Sequence, residues 1–337
     1  MTDSFEIGGV DVKPGEAKKV HIPVAHLYDF TPMTITAKVI RGKKPGPTLF
    51  ISAALHGDEI NGVEIIRRLL SRKYLNRIRG TLIVVPIVNV FGFNHKMRYL
   101  PDRRDLNRSF PGSEKGSMAS QLAATFMKEI VCKCTHGIDL HTAAIHRSNL
   151  PQIRACLDDE QTLEMARSFK VPVLLHSDIR DGSLREAVQH MKIPVLLFEG
   201  GEALRFNEGA IKSALQGIRE VMRKIGMLSK TAVKSRTNKP YEAFVARSSY
   251  WVRSPSSGML NVRYFLGKRV SRGERLGTIS DPFGEIRIPV KARRSGIIIG
   301  ATTLPLVNEG DAIFHIASFE DAEAVEESVE LYHGDLI

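Results

Sequence analysis

His56 and Glu59 stand three positions apart in His56-Gly57-Asp58-Glu59, just past the apolar run 47–55, and Asp139-Leu140-His141 closes another apolar stretch much later in the chain. A His and a Glu at that spacing, where a strand gives way to a helix, can converge on one cation. A distant His at a second strand end can complete the set. Three protein ligands are the count of a catalytic zinc, which keeps a fourth position for water, and not of a closed structural zinc. The same tetrapeptide is also compatible with a solvated ion pair at the start of a helix. Three further groups place charge where apolar runs stop: Arg98-Tyr99, Asp105-Leu106-Asn107-Arg108, and Phe198-Glu199-Gly200-Gly201 after the run 193–198. Open α/β sheets carry their sites at such strand ends.

In this order the motifs resemble the succinylglutamate desuccinylase and aspartoacylase group of zinc amidohydrolases, related to the zinc carboxypeptidases. The resemblance covers residues 49–225 and rests on several short motifs. It implies one Zn2+ per chain held by His56, Glu59 and His141. It also implies that Glu199 is the catalytic carboxylate and that Arg98 polarises the scissile carbonyl. Asn107 and Arg108 match the pair that holds a substrate carboxylate. The stretch between Arg98 and Asp105 is longer than in aspartoacylase, and the residues after Glu199 differ, which bears on the substrate and not on the metal.

The implied activity is hydrolysis of the amide bond of a small N-acyl amino acid or related acidic amide, by zinc-activated water with Glu199 as general base. The alternative, on the same residues, is a metallocarboxypeptidase that releases a C-terminal residue from a peptide. Asp139, two residues before His141 and on the same face of a strand, is a candidate to orient that imidazole, with Asp58 as its competitor. Arg185, Arg147 and Arg154 are candidates for a second substrate-binding group, a surface position being the default for each. His95, His146 and His176 lie near the motifs and read as structural.

The chain has 337 residues and a formal net charge of +11. No run approaches the ~20 apolar residues of a membrane span, and Met1-Thr2-Asp3-Ser4-Phe5-Glu6 lacks the basic start and apolar core of a signal peptide. The expected location is therefore the cytoplasm, with no membrane partner. Cys132, Cys134 and Cys156 do not form a disulfide framework. A basic protein attracts anions, but the basic residues are spread out, densest over 219–239 and 263–294, with no aromatic-interleaved RNA-binding motif, and 320–335 is acidic. A small anionic amide substrate explains the charge; no nucleic-acid partner is expected, and a homo-oligomer is compatible with the sequence.

Positioning these residues requires strands and helices in alternation. Residues 7–38 alternate apolar and polar positions between glycine turns and predict short antiparallel lead-in strands within 1–45. Buried strands over 48–54, 81–88, 137–140, 171–175 and 194–198 then alternate with amphipathic helices over 61–72, 119–131, 159–169, 184–190 and 208–222. The predicted fold is α/β: a zinc-carboxypeptidase-like mixed sheet with helices on both faces over 1–228. A basic linker follows at 229–240, then a small all-β barrel-sandwich-like domain over 241–337. Two stretches there, 252–260 and 290–298, look alike. They resemble the barrel-sandwich folds of lipoyl and biotinyl carrier domains, whose modified lysine sits in the hairpin between the halves. Here that hairpin is Ser280-Asp281-Pro282-Phe283-Gly284-Glu285, without a lysine, so a structural or active-site-covering role is expected instead.

Overall fold

The computed structural model describes residues 4–176, 181–229 and 242–336. The basic linker read at 229–240 lies, after Ser229, outside the described residues. Strands β1 (Phe5–Ile7) and β2 (Val10–Val12) make a small antiparallel ribbon, and β3 (Ala17–His26) pairs antiparallel with β4 (Pro32–Arg41). These last two have ten residues each, longer than the short lead-in strands predicted.

Strands and helices then alternate: β5 (Thr48–Ala53), α1 (Asn61–Leu70), β6 (Thr81–Val85), α2 (Val90–His95), α3 (Met118–Glu129), β7 (His136–Ala143), β8 (Arg147–Ala155), α4 (Glu160–Ser168), β9 (Val173–His176), α5 (Leu184–Gln189), β10 (Val195–Glu202) and α6 (Glu208–Lys224). β6, β5, β7 and β10 are parallel neighbours, whereas β4 against β6 and β8 against β10 are antiparallel, so the sheet is mixed.

Burial on both faces explains the unbroken apolar runs. Leu49 and Ile51 of β5, Ile138 and Leu140 of β7, and Leu196 and Phe198 of β10 pack on one side with α1, α4 and α6. Phe50 of β5 and Ile83 of β6 turn to the other side, toward α3 and α5. Because side chains alternate, the same parity sends Asp139 and His141 of β7 and Leu197 and Glu199 of β10 to one face. β10 continues past the predicted end at Phe198, so Glu199 stands inside a strand, next to a register shift before Glu202. No strand is predicted for 147–155, yet β8 runs there. Leu150, Ile153 and Ala155 are its buried apolar positions; Asn149 and Arg154 are polar because they line a cavity.

The remaining chain forms β11 (Phe244–Ala246), β12 (Ser248–Arg253), β13 (Gly258–Val262), β14 (Arg269–Val270), β15 (Arg275–Ser280), β16 (Arg287–Lys291), β17 (Gly296–Thr302), β18 (Leu306–Val307), β19 (Ala312–Ser318) and α7 (Ala322–Leu336). β13, β15, β16 and β18 make a four-stranded sheet. β12, β19 and β17 instead extend the main sheet to thirteen strands, through β17 against β8. The apolar layer between the two sheets holds Val252 and Leu260 together with Val290 and Ile298, the matching positions of the two look-alike stretches. The acidic segment 320–335 is mostly α7, which buries Val325, Val329 and Tyr332, and the Tyr332 hydroxyl bonds Ser213 of α6. Among the described residues no helix is long and apolar enough to cross a membrane.

Candidate active site

β5 ends at Ala53; the next residue, Ala54, has a left-handed φ of 50°, and the chain there turns sharply to carry His56 and Glu59 over the strand ends. Gly57 is needed in this turn, because a Cβ would lie 1.9 Å from the carbonyl carbon of Gly92 in α2. Glu59 bridges two imidazoles: Oε1 is 2.7 Å from His56 Nδ1, and Oε2 is 2.8 Å from His141 Nδ1. All three residues are buried, with ligand atoms within 4.8 Å of one another. The outer nitrogens are also taken. His56 Nε2 is 3.0 Å from Asp105 Oδ1, and His141 Nε2 is 2.7 Å from Asp139 Oδ2. Ser52 Oγ in turn donates to Asp139 Oδ1 at 2.7 Å. Asp139 therefore takes the orienting position for His141, and Asp58 does not.

Burial pushes the His56 imidazolium down, but Glu59 and Asp105 outweigh it and hold its pKa above the ordinary value. Burial likewise opposes the His141 cation, while Asp139 and Glu59 raise it well above. Burial raises Glu59, yet the two adjacent imidazoles hold its carboxyl far below the usual range. Two imidazoles and a carboxylate, converging and backed by further carboxylates, can hold a metal ion, and the donor set fits zinc.

No role is predicted for Asp105, yet it is a hub. Its Oδ1 accepts from the Asn107 N–H at 2.9 Å as well as meeting His56, and its Oδ2 is 2.9 Å from Arg98 Nη2. Arg98 also reaches Glu59 Oε1 at 3.3 Å, so its guanidinium is held beside the cluster. Replacing Asp105 or Asp139 by asparagine is expected to weaken metal binding ~10–100-fold. Competition with a chelator measures this, and unchanged affinity in both variants would remove their orienting role.

A cavity of about 720 Å³ opens on the cluster and is lined by Arg98, Asn107, Arg108, Arg185 and Glu199. Asn107 Oδ1 accepts from Leu184 N at 3.0 Å, which ties this loop to the start of α5 and leaves the Asn107 amide nitrogen for the cavity. Arg108 is exposed and donates to the Asn107 main-chain oxygen. Arg147 and Arg154, whose default position is the surface, also line the cavity, because β8 lies between β10 and β17 and not at an edge. Glu199 stands opposite His141 across the β10–β7 ladder; Asn149 Nδ2 donates to its Oε2 at 2.9 Å and Arg154 Nη1 is 3.8 Å from its Oε1. Asn149 is a contact the sequence does not single out, since it belongs to the unpredicted strand. His95 and His146 are exposed and His176 pairs with Asp158 at 3.6 Å, so none of them joins the cluster. Ser249, Trp251, Arg253 and His315, from the C-terminal strands, also line it.

Residues 45–225 match the family model of the succinylglutamate desuccinylase/aspartoacylase catalytic domain. Over 301 residues, 85% of either chain, the protein is 28% identical to the N-alpha-acetyl-L-2,4-diaminobutyric acid deacetylase of Halomonas elongata. The product-bound ectoine utilization protein EutE (DoeB) from Ruegeria pomeroyi shares the fold with a TM-score of 0.79 at 24% identity, over 89% of this chain and 95% of that one. A succinylglutamate desuccinylase/aspartoacylase from Rhodobacter sphaeroides does so with a TM-score of 0.80 at 24% identity, over 90% and 95%. With the catalytic-domain model matched over more than half of this chain, and His56, Glu59 and His141 inside that span, the chain belongs to the succinylglutamate desuccinylase/aspartoacylase family.

Proposed function

We propose that the protein is a zinc-dependent amidohydrolase that removes the acyl group from a small N-acyl amino acid or a related acidic amide. The observation that carries this reading is the buried His56, Glu59 and His141 cluster facing Glu199 in an arginine-rich cavity. The named activity of the Halomonas elongata relative, a deacetylase of an N-acetylated amino acid, supports it.

When bound by the three ligands, zinc supplies Lewis acidity, which acidifies water and polarises a carbonyl oxygen. Glu199 acts as the base: with Oε2 held by Asn149, its carboxylate takes a proton from the attacking water and delivers it to the leaving amine nitrogen. Arg98 stabilises negative charge that develops on the carbonyl oxygen, a kind of contribution worth ~3 kcal/mol per donor. Arg108 and the Asn107 amide nitrogen receive the substrate carboxylate. The remaining arginines keep the cavity electropositive for a small anionic substrate. The wall built by β12 and β19 favours a small amide over a peptide chain, because the cavity has the size of a small-molecule pocket.

The test is a screen of N-acetyl, N-succinyl and N-formyl amino acids with zinc-loaded protein. Absence of hydrolysis across that panel, with peptide substrates cleaved instead, would replace the reading with the carboxypeptidase one. If Arg108 grips the carboxylate through its fork, Arg108→Lys keeps the charge, loses the paired geometry, and raises KM more than it lowers kcat. The carboxamide form of the same substrate should then be poor for the native protein and nearly indifferent to the change. Native and Arg108→Lys against acid and carboxamide form a two-by-two comparison, and coupling below ~0.5 kcal/mol would mean that Arg108 does not read the carboxylate.

A further inference from the structure

We propose that Asn149 positions the Glu199 carboxylate for proton transfer and that Gly300, on a C-terminal strand, makes the room that lets it do so; the proposal rests on Glu199 being the base. Asn149 is buried on β8, and its Nδ2 donates to Glu199 Oε2 at 2.9 Å. The charged partner, Arg154, stands farther off at 3.8 Å. Gln152, directly opposite Glu199 in the ladder, commits its amide nitrogen to the Ile299 carbonyl at 3.3 Å. A neutral amide suits the task, because it fixes one carboxylate oxygen without the positive charge that would lower the carboxylate's affinity for a proton.

The amide's other end depends on the C-terminal strands. Gly300 of β17 lies opposite Asn149 in register, and a Cβ there would sit 2.7 Å from Asn149 Oδ1 and 3.2 Å from His315 Cβ. Gly300 is not among the positive-φ residues, so its backbone would accept any side chain; only space demands glycine. His315 of β19 is opposite Gly300, and it stacks on Trp251 of β12 with centroids 4.5 Å apart. A row across the sheet, Trp251, His315, Gly300 and Asn149, thus ends on Glu199. This gives the C-terminal strands a part in the chemistry that goes beyond walling the cavity.

Misplacing a reacting group by ~1 Å can cost about 100-fold in rate. Asn149→Ala is therefore expected to lower kcat ~10–100-fold with KM within about twofold of native. Asn149→Asp keeps the shape and replaces the donor by an acceptor, so it should lose as much; it also decides the matter if the alanine variant does not fold. Gly300→Ala, with no atom placed on the substrate, should lower kcat by displacing the Asn149 amide. In the Asn149→Ala background the same change should have little further effect. Native kcat in both Asn149 variants, or losses in KM alone, would overturn the positioning role. Multiplicative effects of the two alanine changes would overturn the part of Gly300. Crystal structures of the variants separate this proposal from the deacylase reading. If no N-acyl amino acid is hydrolysed, that reading falls, and a Glu199 carboxylate displaced by more than ~0.5 Å still supports the positioning role. An unmoved carboxylate overturns it.

Discussion

Glu199→Gln is expected to retain the fold and about one zinc per chain while losing turnover by ~10²–10⁴-fold, the usual contribution of a positioned general base. The side-chain amide still offers an oxygen to Asn149 Nδ2, so the local hydrogen bond survives. What disappears is the ability to accept a proton from water. The ion pair with Arg154 at 3.8 Å is also lost. Metal analysis, thermal unfolding and steady-state kinetics on one accepted substrate decide the matter together. A kcat within a few-fold of native, with zinc retained, would assign the base to another residue.

His141→Ala is expected to drop the zinc content from about one per chain to a small fraction, since the two remaining ligands come from a single turn. The same change leaves Asp139 and Glu59 as buried carboxylates without the imidazole between them. Breaking a buried charged pair by removing one partner costs ~3–5 kcal/mol, so the variant should also melt at a lower temperature. Asp139→Asn added to His141→Ala should recover part of that loss while restoring no metal. Full zinc content in His141→Ala would remove the ligand assignment, whatever the activity.

The His56, Glu59 and His141 cluster was open to reading in one dimension because its motifs are short and each is local, and the family resemblance joined them. His56 and Glu59 share one turn, and the period of two along β7 puts Asp139 and His141 on one face wherever that strand lies. The alternation of apolar strands and amphipathic helices was equally local, since each strand is buried on both faces by its own run of side chains. Asp105 shows where this ends: it reaches His56 across 49 positions, through a loop whose path nothing in its own composition specifies. β8 shows it more fully. Residues 147–155 mix Asn149, Gln152 and Arg154 among three apolar positions, and that pattern suits a surface segment as well as an interior strand. The partner strand β17, Gly296–Thr302, turns it into an interior one. Spacing along a chain determines which side chains share a face. Whether that face meets water, a metal or the side chain of a distant strand is decided only by what packs against it, and here the deciding neighbour, Gly300, acts by the volume it leaves empty.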